Sequence, residues 1–416
     1  MNKKQEQPEE KEWDHKKLGR ELDLFTFSDT VGKGLPLWTP KGAAIRREVE
    51  RFIVDEEIRR GYDHVYTPDI AKLDLYEKSG HYPYYKDSMY APIEIEDEKF
   101  MLRPMTCPHH FELFLDKPKS YRELPIRYAE LAKLYRFEQS GELMGLQRVR
   151  SFCLADAHII CTKEQAESEI KDVLELIDYA VKVFGLEKGK DYHYRLSLGD
   201  RKDEKKYFKD DAAWDHAEEV LRNVLVEDGS EFEEAEGEGA FYGPKIDVQM
   251  VNANGKEDTA FTVQYDFVMP KRFKLEFINE KGEMEEPVVV HRSSIGAIER
   301  TIAFLIEKYK GNFPTWLSPV QVKILPISKD QAEYADSLKS SLIENRVRVV
   351  VNHKDEPLSA KIRDAQLEKA SYILVVGKQE VEAKSVSVRK GGEDKGQMSF
   401  EDFVGLIKKE IDQKAS

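Results

Sequence analysis

The chain has 416 residues, enough for two or three domains with ample core. Its net charge of −14, from 65 basic and 79 acidic residues, excludes a protein that coats nucleic acid through bulk positive charge, so such a partner would need local basic patches. No apolar run reaches transmembrane length, no signal segment is legible, and three cysteines (Cys107, Cys153, Cys161) suit a reducing, cytoplasmic setting better than a disulfide framework.

In chain order, residues 1–13 are polar and charged and are expected to be disordered, with ordered structure from Asp14. Ile45, Val49, Phe52, Ile53 and Ile58 recur at helical spacing up to Gly61, and a short strand, HVYTP, closes at Pro68. Residues 77–90, rich in Gly and Tyr, read as a loop carrying His81, after which a strand runs into Met105-Thr106-Cys107. The runs LAKLYRFE (131–138) and VRSFCLADAHII (149–160) flank the turn-prone QSGELMG and read as two strands joined by a long loop. Period two sets Arg136, Glu138, Arg148 and Arg150 on one face. Guanidinium forks there would suit a polyphosphate, and a solvated face with one Arg–Glu pair accounts for the pattern equally well.

Residues 162–188 read as an amphipathic helix with Thr162 as N-cap and Gly185 near its end. RLSLGD is a strand, DDAAWDHAEEVLRNVLVEDG a helix, and the acidic EFEEAEGEG (231–239) solvated surface. AFYGPKIDVQMVN, TAFTVQYDF and FKLEFIN read as strands, mostly antiparallel, and VVVHRSSIGAIERTIAFLIEKY passes from strand to helix. Pro314 and Pro319 mark a boundary between a domain at 14–316 and one at 317–416. In the latter, strands alternating with helices predict a small α/β domain with a mostly parallel sheet.

The Arg136–Glu138 strand, its loop and the return from Arg148 to Phe152 resemble motif 2 of the class II aminoacyl-tRNA synthetases. RPMTCPHH (103–110), RVRSFCLADAH (148–158), GEGAFYGPKID (237–247) and HRSSIGAIER (291–300) resemble the threonyl-tRNA synthetases in particular. The resemblance implies an α+β catalytic domain with the antiparallel class II sheet, followed by an α/β anticodon-binding domain. The helix and strand ending at Pro68 resemble motif 1, which implies a homodimer.

The same resemblance implies a threonine–tRNA ligase activity, with ATP, L-threonine and tRNA(Thr) as expected partners. Arg136 would bridge the α-phosphate and the substrate carboxylate, and Glu138 would meet the adenine side. Arg148 and Arg300 would hold the outer phosphates, and Phe152 would stack on the purine. Mg²⁺ would accompany ATP, and no Gly-x-x-x-x-Gly-Lys-Ser/Thr loop offers another route to phosphate. His81 matches a position near the terminal ribose of tRNA where a general base has been proposed, although a loop histidine is more often plain surface. Cys107, His158 and His291, 51 and 133 residues apart, carry no local motif but fall on the family's zinc ligands, while His109, His110, Cys153 and Cys161 read as distractors. Zinc binding both amine and hydroxyl would distinguish threonine from valine, which a hydrophobic pocket separates by only about a hundredfold. Met105, Asp156, Tyr242, Lys245, Thr262 and Gln264 match further pocket positions.

Leu154-Ala155 stand where many bacterial relatives have Gln-Asp, and Ala297 where they have Ser, which puts pocket polarity in doubt. Arg363, Glu380 and Arg389 match anticodon contacts, with Asp355 in place of the expected Asn. There is no room before Asp14 for the ubiquitin-like and editing domains of longer relatives, and no two of the ten histidines lie four apart as in an editing His-x-x-x-His pair. The expectation is a form without cis editing, relying on a separate deacylase or a pocket made stricter by Leu154 and Ala155. A prolyl-type ligase and a catalytically inactive regulator are the competing readings. The three retained arginines oppose the second, and the Cys and two His oppose the first.

Overall fold

The computed structural model describes residues 13–252 and 255–414, so the expectation of disorder for residues 1–13 lies almost wholly outside the described residues. The chain divides into two compact units. One comprises residues 27–36 and 50–304, the other residues up to Thr26, Leu37–Val49 and Leu305 onward.

The first unit is built on an eight-stranded sheet. Its strands are β1 (Asp63–His64), β2 (Ile126–Tyr135), β3 (Ser151–Cys161), β4 (Tyr192–Leu198), β5 (Phe232–Glu236), β6 (Lys245–Val251), β7 (Glu257–Asp266) and β8 (Val288–Ala297). They lie in the order β5-β4-β6-β7-β8-β3-β2-β1, antiparallel except for the pairs β5–β4 and β2–β1 at the edges. Helix Lys163–Val183 opens with the reciprocal cap Thr162/Gln165 and buries Ile170, Val173, Leu174 and Ile177. It packs on β7 and β8 and so covers one face of the sheet. The opposite face is left to the site.

Gly296 ends β8 at φ +66°, where a Cβ would lie 2.1 Å from the Ala260 carbonyl oxygen. Only glycine fits, and the break in register between Ser293 and Ala297 turns the chain into helix Ile298–Tyr309.

Several expectations are corrected. Helix Pro40–Arg59 buries Ile45, Val49, Phe52 and Ile53, but Ile58 is 55 % exposed, because a step of five from Ile53 leaves the apolar face. Glu57 is buried instead, paired with Arg292 at 2.6 Å and His64 at 2.8 Å. The glutamates of the acidic run 231–239 are exposed, as expected, but Phe232–Glu236 within it is an edge strand, whose charges disfavour further pairing at that edge. FKLEFIN is largely not strand, since helix Met269–Phe273 precedes a two-residue strand, Phe277–Ile278. HVYTP shortens to Asp63–His64 as pairing.

The second unit carries a five-stranded sheet of β9 (Val322–Pro326), β10 (Val349–Val351), β11 (Tyr372–Val376), β12 (Ser385–Lys390) and β13 (Glu393–Ser399), in the order β10-β9-β11-β12-β13. It is mixed, not mostly parallel: β9 is parallel to β10 and β11, while β11–β12 and β12–β13 are antiparallel. The polar β13, EDKGQMS, gives no strand signal in sequence; a tight Gly391-Gly392 turn folds it back on β12.

Candidate active site

Period two on β3 sends Phe152, Leu154, Asp156 and His158 to the open face of the sheet, where they line a cavity of about 280 Å³. Register assembles the rest. Gln264 pairs with His291, and His291 with His158; Thr262 pairs with Ser293, and Ser293 with Asp156. Two rows of polar side chains thus cross β7, β8 and β3 at neighbouring-strand spacing.

Cys107 enters from another element. It does not end a strand, as expected; it begins helix Cys107–Leu115, one residue ahead of Pro108. Its Sγ and one nitrogen each of His158 and His291 lie within 4.8 Å of one another, all three residues buried. The imidazoles are held from behind. His291 Nε2 lies 2.7 Å from Asp266 Oδ2, and His158 Nδ1 lies 2.8 Å from His110 Nδ1. Tyr242 stacks on His291 with ring centroids 4.9 Å apart and donates to Gln264 at 2.5 Å. Burial raises the Cys107 thiol well above its ordinary range and holds His158 well below its own, so in the bare site the thiol keeps its proton and the imidazole is neutral. A thiol and two imidazoles beside an open cavity are a donor set that fits a zinc ion with a free coordination position.

The other wall is cationic. Arg136, Arg148 and Arg300 all line the cavity. They lie beyond the regular strands, on the loop after β2 and on helix Ile298–Tyr309. Arg148 pairs with Glu138 at 2.7 Å, Arg300 donates to the carbonyls of Gln147 (3.0 Å) and Thr259, and the Arg136 guanidinium sits 5.2 Å from the centre of the Phe152 ring. Burial lowers Arg136 and Arg300 from their usual values, marking positive charge that an entering anion would relieve. Burial likewise raises the Asp156 carboxyl. Arg150 leaves this face: its guanidinium lies over Phe137 at 4.6 Å and donates to the Glu138 carbonyl at 2.9 Å.

Thirteen expected residues meet here, namely Met105, Cys107, Arg136, Glu138, Arg148, Phe152, Asp156, His158, Tyr242, Thr262, Gln264, His291 and Arg300. Two do not line the cavity. Lys245 is paired with Asp247 at 2.5 Å. His81 is fully buried, with Nδ1 2.7 Å from the Ser79 hydroxyl and its ring edge-on to Phe241, and burial pushes it down to about 3. In the second unit Arg363 is exposed and Arg389 pairs with Asp394 at 3.2 Å. Glu380 is occupied structurally: its carboxylate accepts from the Gly377 N–H and the Ser387 hydroxyl, both at 2.8 Å.

Sequence reading missed the support behind the site. Arg103, Glu130 and His110 are buried together, and Asp266 anchors His291. Starting the strand at Leu131 left out Glu130, whose register partner is Asp156.

Residues 90–309 match the tRNA synthetase class II core domain (G, H, P, S and T), and residues 321–410 match an anticodon binding domain. Fold and site together define a class II aminoacyl-tRNA synthetase core followed by an anticodon-binding domain. Among similar curated proteins, the threonine–tRNA ligase of Geobacillus sp. (strain WCH70) is 51 % identical over 97 % of this chain, and that of Listeria monocytogenes serotype 4a (strain HCC23) is 49 % identical over 98 %. A crystal structure of the RNA binding domain of threonyl-tRNA synthetase from Cryptosporidium parvum Iowa II superposes with a TM-score of 0.89 at 34 % identity, covering 95 % of this chain and 98 % of that one. A putative threonyl-tRNA synthetase from Aeropyrum pernix gives 0.84 at 29 % identity, covering 97 % of each chain. The chain belongs to the threonyl-tRNA synthetase family. It spans 62 % of the length of the Geobacillus relative.

Proposed function

We propose that the chain activates L-threonine with ATP and transfers the threonyl group to the 3′ end of tRNA(Thr). The observation that carries this reading is that the Cys107, His158, His291 cluster and the cationic wall of Arg136, Arg148 and Arg300 share one cavity. In the first step a threonine carboxylate oxygen attacks the α-phosphorus of ATP, and the bond to the leaving pyrophosphate breaks. Two anions must meet, so preorganised positive charge and positioning supply most of the rate. Arg136, whose guanidinium lies over the Phe152 ring in the cavity shared with the Cys107 cluster, would hold the α-phosphate and the carboxylate together, with Phe152 stacking on the adenine. Arg148 and Arg300 take the outer phosphates, with Mg²⁺ on the phosphate oxygens.

Zinc held by Cys107, His158 and His291 would supply a Lewis acid to which threonine could offer both its amine and its hydroxyl, where valine has only the amine. Asp156, opposite Ser293 on the adjoining row, accepts hydrogen bonds from the same groups. Thr262 and Gln264 close the pocket beside Tyr242. His81 is given no step here. Exposed Arg363 and half-buried Arg389 are candidates for contacts with the anticodon loop. The active species is proposed to be a homodimer through the region of helix Pro40–Arg59 and the segment after it, where Tyr66 is 92 % exposed. Among the described residues no helix is long and apolar enough to cross a membrane.

The test is charging of a tRNA(Thr) transcript with labelled threonine. Threonyl-tRNA formation is expected, and charging with proline but not threonine would overturn the assignment.

A further inference from the structure

The two imidazoles of the proposed metal site are supported differently, and the difference fixes where their protons sit. His291 meets a carboxylate directly, at 2.7 Å from Asp266. A carboxylate only accepts, so Nε2 of His291 carries a hydrogen, and Nδ1 is the ring nitrogen left for a metal. His158 has no carboxylate on its Nδ1. It has His110, whose Nδ1 is 2.8 Å away, with the two rings nearly perpendicular. The far nitrogen of His110, Nε2, lies 3.3 Å from Glu130 Oε2.

Glu130 is itself locked. Arg103 Nη2 donates to it at 2.9 Å and the Thr67 hydroxyl at 2.7 Å, while Arg103 also holds the Thr67 hydroxyl and the Lys133 carbonyl. Burial would raise this carboxyl, but hydrogen bonds from His110 and Thr67 and the charge of Arg103 outweigh it and bring it down to about 2, so it is ionised. A metal bound through Nε2 of His158 would set the hydrogens along this chain. Glu130 accepts, so His110 Nε2 carries the hydrogen. His158 then carries its own hydrogen on Nδ1, where His110 Nδ1, 2.8 Å away, is the atom positioned to accept it. Nε2 of His158 is left as a bare lone pair.

We infer that His110 is a positioning residue that, backed by Glu130, holds His158 in the tautomer able to bind a metal through Nε2. The inference rests on the zinc site proposed above. Outer partners of this kind commonly change metal affinity by about 10–100-fold.

The experiment compares the full-length wild type, His110→Phe and His110→Asn. Zinc content and affinity are read by competition with a chromophoric chelator, and melting of each zinc-free form is followed in parallel. His110→Phe keeps the ring and loses the hydrogen bonds to both His158 and Glu130; it is expected to bind zinc about 10–100-fold more weakly, with the zinc-free protein still folded and melting cooperatively. His110→Asn places an amide oxygen near the Nδ1 position, and most of the affinity is expected to return. Cobalt-substituted protein should repeat the order in its ligand-field spectrum. Wild-type affinity in His110→Phe, or no recovery in His110→Asn, overturns the inference and leaves the metal site standing. A wild type that binds no zinc overturns the metal site itself, and the inference with it.

Discussion

Replacing Arg136 removes the charge on which the proposed chemistry depends. Among the described residues its hydrogen bonds are two long ones, to the Pro104 carbonyl at 3.4 Å and the Met105 sulfur at 3.6 Å. Most of its five N–H donors therefore remain for a ligand. Two charge-assisted bonds to an anion, at about 1.5–3 kcal/mol each, give a loss of about 3–6 kcal/mol, or roughly 10²–10⁴ in kcat/KM. Arg136→Ala should show this in threonine-dependent exchange of pyrophosphate into ATP, with zinc content unchanged. Arg136→Lys should recover little, because an ammonium keeps the charge but not the two-pronged geometry. Exchange within tenfold of wild type in Arg136→Ala would refute the placement of the α-phosphate.

Purified protein should carry about one zinc per chain, and Cys107→Ala should lose both the metal and threonine activation; active protein without zinc would sink this. His81 is neutral when folded, because burial holds it at about 3, whereas the unfolded chain protonates it near pH 6.5. Its contribution is complete above about pH 6.5 and is lost as pH falls towards 3. In urea unfolding, His81→Gln should flatten the acid limb of stability by up to about 1.4 kcal/mol per pH unit, and parallel curves would contradict the assignment. Light scattering should find a dimer, and Tyr66→Asp should shift it towards monomer; a fully active wild-type monomer at assay concentration would exclude the proposed interface.

What sequence could reveal tracked how regular each signal was. The even-numbered residues from Phe152 to His158 share a face because a strand alternates, and that alternation is visible in the letters. Cys107 needed more. Its helix starts at the cysteine, and its meeting with His158 and His291 is a matter of tertiary packing that spacing does not encode. His110 looked redundant beside His109, since nothing local says which of two adjacent histidines turns inward to a neighbour on β3. The structure gives His110 to His158 and Glu130, while both ring nitrogens of His109 are buried without a hydrogen-bond partner among the described residues. Edge strands were the other blind spot. Phe232–Glu236 and Glu393–Ser399 are polar because they lie at sheet margins, and polar composition reads as loop.

The central claim is that this cavity activates threonine. ATP–pyrophosphate exchange measured on the full chain with each of the twenty amino acids tests it most directly. Strong exchange is expected with threonine, weaker exchange with serine, and almost none with valine or proline, which cannot offer both an amine and a hydroxyl. Exchange with valine equal to that with threonine, or none with threonine, would contradict it.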